Sequence, residues 1–119
     1  MEHNEALREE LRAPSLALRE LIPDVLKGYG AMSAAAMSMG ELSVATKELL
    51  ALAIAITREC DGCIVAHARG AARAGATRVE VAEMIGIAIM MNGGPGTVWG
   101  PRALRAYDEA LDARSLEQH

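Results

Sequence analysis

Chemistry concentrates in one short stretch of this chain, Cys60-Asp61-Gly62-Cys63-Ile64-Val65-Ala66-His67. Two cysteines three residues apart at the start of a helix share one face, close enough to form a disulfide with little strain. The partial positive charge of a helix N-terminus favours the thiolate over the thiol. His67 follows Cys63 by four residues, one turn along the same face. There it can serve as a general base or, as imidazolium, stabilise a thiolate. That spacing points to Cys63 as the nucleophile, whereas the helix N-terminus alone points to Cys60. The other histidines, His3 and His119, fall near the chain ends, where fraying is expected.

Glu48 is the natural fourth member of the group. If the helices on either side of Arg58-Glu59 form an antiparallel hairpin, Glu48 lies nine residues before Thr57 and His67 seven after Cys60. At a rise of about 1.5 Å per residue, both stand roughly 10–14 Å from the turn and can face each other. A carboxylate beside the apolar Leu49 and Leu50 needs such a partner, and it would orient the imidazole, fix its tautomer and relay a proton. A closed zinc site is the competing chemistry for this group, with Glu48 as its obvious fourth ligand. The dithiol reading is preferred, and no metal or other cofactor is expected.

These residues have to be held by helices, because nearly every segment reads as one. Ala6 to Leu21 is amphipathic, with Leu7, Leu11, Leu18, Leu21 and Ile22 near helical spacing, and Pro14 is expected to interrupt it. Asp24 to Met39 is a second helical run, weakened at Gly28-Tyr29-Gly30. Ser43 fits an N-cap for a helix from Val44 to Thr57, apolar on nearly every side from Leu49 to Ile56 and so expected to be central and covered all round. Cys63 to Ala74 reads as helix, with Gly75 as a left-handed C-cap. Thr77-Arg-Val-Glu80 is a capping box opening a helix to about Asn92, stopped by Gly93-Gly94-Pro95-Gly96. A last amphipathic helix runs from about Val98 to Ala113. The expectation is an all-α single domain over residues 1–119, with five to six helices and a central hairpin carrying the CxxC pair.

Composition agrees with that frame and excludes other classes. Of 119 residues, 51% are apolar and 23 are Ala, but aromatics make up only 3% and Phe is absent. Disorder is excluded by the apolar content, and a disulfide scaffold by a count of two cysteines. A net charge of −4 and three aromatics leave no basic or stacking surface for nucleic acid. The apolar runs Leu49–Ile56 and Met84–Met91 are each less than half of the roughly 20 residues that a membrane span requires. The mixed-charge start lacks a signal peptide's apolar stretch, so a cytoplasmic location is expected. A small chain with so apolar a stretch between Val44 and Asn92 is expected to meet further copies of itself. Met32, Met37, Met39, Met84, Met90 and Met91 read as core or interface filler, and Trp99 as a packing residue. Glu9, Glu10, Arg12, Arg102 and Arg105 read as solvated helix faces, and the glycine cluster lacks the Lys-Ser/Thr of a phosphate loop.

Glu48, eleven intervening residues, Cys60, two more, Cys63, three more and His67 resemble the active-site signature of the alkylhydroperoxidase D-like proteins, within the carboxymuconolactone decarboxylase superfamily. The resemblance runs from about Leu26 to Ala113 and takes in Leu49 to Ile56, the Gly75 turn and Asn92-Gly-Gly-Pro95. It implies an all-α fold assembled as trimers or hexamers, with active-site helices near subunit interfaces. It also implies peroxide reduction: Cys63 attacks, Cys60 resolves the sulfenic acid as a disulfide, and His67 and Glu48 relay protons. The reductant it implies is an external dithiol, such as a lipoyl-bearing protein. This chain is shorter than the namesake enzymes and has Gly62 where they carry a histidine before the second cysteine. Two other readings accompany it. One is a decarboxylase of a lactone acid in aromatic catabolism; the other is a non-enzymatic redox sensor whose disulfide alters its assembly.

Overall fold

The computed structural model describes residues 3–117, so the His119 end lies outside the described residues. Among the described residues six helices follow one another: α1 (His3–Leu21), α2 (Pro23–Met37), α3 (Val44–Thr57), α4 (Asp61–Arg73), α5 (Arg78–Asn92) and α6 (Gly94–Glu117). Among the described residues there is no strand. The fold is all-α, with the CxxC pair on a helical hairpin. The chain divides into two compact units, Met1–Gly40 and Glu41–His119.

In the first unit α1 and α2 pack on each other, and neither buries a residue. Pro14, expected to interrupt α1, lies inside a continuous helix. Proline removes one i→i−4 hydrogen bond, and here the residues around it are exposed, so water can take the released carbonyl. Pro23 opens α2, where its missing N–H costs nothing.

The second unit holds the core. It is built from Leu52, Ala55, Ile56, Ile64, Ala68, Ala71, Val81, Met84, Ile85, Ala103, Ala106 and Tyr107, with α3 packed on α4, α5 and α6. Small residues allow close helix approach, as between α5 and α6, where a Cβ on Gly96 would come within 2.8 Å of the Ile89 Cα. Local signals set the ends of these helices. The Ser43 hydroxyl accepts from the Thr46 N–H at 3.1 Å, opening α3. Thr77 and Glu80 form the full capping box at α5. Gly75 (φ 88°) closes α4, with Ala76 N–H donating to Ala71 O.

Two expectations need correction. Gly93 alone ends α5 (φ 69°), and Gly94-Pro95-Gly96 begins α6 instead of extending a stop. Proline fits a first turn because that turn has no N–H partner to lose. Helix α3 is central but not covered all round: Leu50 is 51% and Ile54 59% exposed. These residues are four apart, on the face opposite Leu52 and Ile56, so burying one side of α3 leaves them on the other. Of the methionines, Met84 enters the core, whereas Met32, Met39, Met90 and Met91 are exposed.

Candidate active site

The turn between α3 and α4 places the cysteines. Helix α3 ends when the Glu59 N–H donates to Ile56 O and the Cys60 N–H to Ala55 O, both at 3.1 Å. This double bond pattern requires a left-handed residue, and Glu59 supplies it with φ 53°. The next residue, Cys60, is already the N-cap of α4. One short turn therefore ends the apolar helix and begins the reactive one, bringing the two back against each other as a hairpin.

Cys60 is half-buried and Cys63 is exposed, their Cα atoms 5.3 Å apart and their sulfurs at disulfide-bonding distance. The Cys60 sulfur also takes the place of a capping oxygen, accepting from the Cys63 N–H at 3.3 Å. Both sulfurs thus lie in the first turn of α4, the positive end of its dipole.

Glu48 and His67 meet across the hairpin. His67 Nδ1–H donates to Glu48 Oε2 at 2.9 Å. A carboxylate only accepts, so in the neutral ring this contact selects the tautomer with the proton on Nδ1, which leaves Nε2 as the proton-accepting atom. The Glu48 side chain is 13% exposed and that of His67 32%, which partly shields the pair from solvent while leaving the imidazole reachable. Both residues stand about equally far from the turn, which lets them meet. His67 also lies one turn from Cys63 on α4. All four expected site residues are thereby on one hairpin, and His3 is on α1 in the other unit.

Further residues shape the surroundings. The Asn92 amide donates to Thr57 Oγ1 at 3.1 Å and to Ala88 O at 2.6 Å, tying the end of α5 to the end of α3 just before the cysteine turn. Trp99 packs against the core with the Arg102 guanidinium 4.4 Å from its ring centroid, so Arg102 is stacked and not merely solvated. Gly70 leaves open the space beside the Glu48 carboxylate: a Cβ added there would stand 2.6 Å from Oε1. Among the described residues no group of three or more His, Cys, Asp and Glu side chains is placed to hold a metal ion. No helix of the described residues is long and apolar enough to cross a membrane.

Residues 23–113 match the family model described as the carboxymuconolactone decarboxylase family. The chain belongs to that family. A crystal structure of an apo carboxymuconolactone decarboxylase family protein from Legionella pneumophila superposes with a TM-score of 0.87 at 31% identity, covering 91% of this chain and 96% of that one. An uncharacterised protein of Cupriavidus necator is 40% identical over 97 residues, 82% of this chain and 85% of its own length. Another, from Haemophilus influenzae, is 45% identical over 85 residues, 71% of this chain and 75% of its own. The family fold thus carries, in this chain, a CxxC pair and a carboxylate–imidazole pair on adjacent helices.

Proposed function

We propose that this protein is a thiol-dependent peroxidase that cycles Cys60 and Cys63 between dithiol and disulfide. The observation that carries the reading is the exposed Cys63 in the first turn of α4, beside a half-buried Cys60 at disulfide-bonding distance and one turn from an imidazole held by Glu48. The Cys63 thiolate attacks one oxygen of a peroxide ROOH and breaks the O–O bond. Sulfur is oxidised to sulfenic acid, and the departing alkoxide leaves as ROH with the proton that His67 Nε2 took from the Cys63 thiol when the thiolate formed. Cys60 then attacks the sulfenic sulfur, forming the disulfide and releasing water. An external dithiol, such as a lipoyl-bearing protein, reduces the disulfide by exchange and becomes oxidised in turn. Exposure of Cys63 supports its role as the attacking sulfur, and the more enclosed Cys60 suits the resolving one.

Peroxide consumption with a dithiol reductant tests the reading, comparing wild type with Cys60→Ser and Cys63→Ser. Cys63→Ser is expected to abolish turnover, and Cys60→Ser to stop the cycle after one equivalent. Equal rates for all three proteins would overturn the proposal. The family match also favours a second reading, a decarboxylase of a lactone acid that uses His67 and Glu48 but no dithiol. Turnover of a carboxymuconolactone, undiminished in both serine variants, would select it.

A further inference from the structure

Gly70 lies three residues beyond His67 on α4, so the two face α3 from one side of the helix. It is buried. A Cβ added there would stand 2.6 Å from Glu48 Oε1 and closer still to Cδ and Oε2, the three atoms of one carboxyl group. The nearest obstruction is therefore the tip of Glu48 and not the backbone of α3. A methyl group at this position would move the carboxylate and leave the hairpin in place.

We propose that Gly70 is a positioning residue: its missing side chain is the seat of the Glu48 carboxylate, and so sets which nitrogen of His67 carries the proton. This rests on the proton-relay role given to the pair above. The seat is bounded by Gly70 on one side, while the His67 Nδ1–H anchors Oε2 at 2.9 Å. With the carboxylate in its seat, Nδ1 holds the proton and Nε2 can exchange one with substrate. With the carboxylate displaced, nothing holds the proton on Nδ1. It then occupies Nε2 in part of the molecules, which removes the acceptor the relay needs. The hydrophobic pattern of α4 would tolerate alanine at 70, and alanine is the stronger helix former, so the glycine is explained by what it makes room for.

The test is Gly70→Ala, alone and combined with Glu48→Ala, which removes the group that the methyl would strike. Two-bond 1H–15N correlation spectra of histidine-labelled oxidised protein read the tautomer directly, with the His67 signals identified by their loss in His67→Gln. Wild type is expected to show His67 protonated on Nδ1 and Gly70→Ala to show a shift towards Nε2. Peroxide turnover should fall about tenfold or more in Gly70→Ala, a modest share of what general acid–base catalysis typically contributes. In the Glu48→Ala background the same substitution should change the rate less than about twofold, as for a residue acting wholly through Glu48. Retention of the Nδ1 tautomer in Gly70→Ala, or an equal loss of rate in both backgrounds, would overturn the proposal. If Gly70→Ala does not fold, folding of the double variant supports the collision with Glu48, and failure of both overturns it. Absence of peroxide turnover in wild type would sink the peroxidase reading alone, because the tautomer spectra still decide the role of Gly70.

Discussion

Glu48 stands at the head of the apolar run Leu49–Ile56 of α3 with a side chain only 13% exposed, where an ionised acid needs a donor. Its donor is His67, 2.9 Å away on the facing helix. That Cys60, Cys63, His67 and Glu48 come together on one hairpin is legible in the sequence, because helical spacing fixes which residues share a face and a tight turn fixes which levels face each other. Gly70 is not, since a residue without a side chain leaves no trace in the pattern of what it makes room for. Tyr107 shows the same physics away from the site. It is buried, and its hydroxyl donates to Ala76 O at 2.7 Å. Burial, then the Asp108 and Glu80 carboxylates, hold its phenol above the usual value of 10, against the opposing pull of Arg78. The unfolded chain gives up this proton first. Tyr107 therefore stabilises the fold below pH of about 10, and that contribution is lost as pH rises through the higher folded value. Thermal melts at about pH 9 and 11 should show a larger loss of Tm for wild type than for Tyr107→Phe. An equal loss would contradict this.

At the scale of elements, the turn Arg58-Glu59-Cys60 joins the two halves of the site. The equivalent left-handed position after α4 is Gly75 (φ 88°), but after α3 it is Glu59 (φ 53°). A side chain in this region of backbone space costs on the order of 1 kcal/mol that glycine avoids. Glu59→Gly should accordingly raise stability by about 0.5–1 kcal/mol, read as a higher urea midpoint at unchanged slope. A lower midpoint would show that the Glu59 side chain stabilises the turn by more than its backbone strain costs. Caps such as Ser43, Thr77 and Gly75 were legible because a cap is a bargain struck among four or five adjacent residues. The continuity of α1 through Pro14 was not, nor was the start of α6 at Gly94. Whether a proline breaks a helix depends on where its released carbonyl goes and on how near the first turn it sits, which spacing alone does not say.

At the scale of the whole molecule, apolar surface exceeds what one chain covers. Leu50 and Ile54 on α3, Ile87, Met90 and Met91 on α5, and Leu18, Leu21, Val25 and Met32 on α1 and α2 are all exposed. The sequence made this excess visible as composition; which faces lack a cover could be seen only once the helices were packed. We propose that copies of the chain cover these faces. Light scattering should then give a mass three or six times the 12.6 kDa of one chain. A single species of one chain's mass would contradict assembly, and a mass that changes with oxidation in the absence of turnover would favour the redox-sensor reading. The dithiol itself carries the central claim, and it has a direct stoichiometric consequence. Fully reduced protein holds two free thiols per chain. One equivalent of peroxide should consume both, yielding an intramolecular Cys60–Cys63 disulfide and no change in subunit mass beyond the loss of two hydrogens. Two thiols remaining after that equivalent would contradict the account.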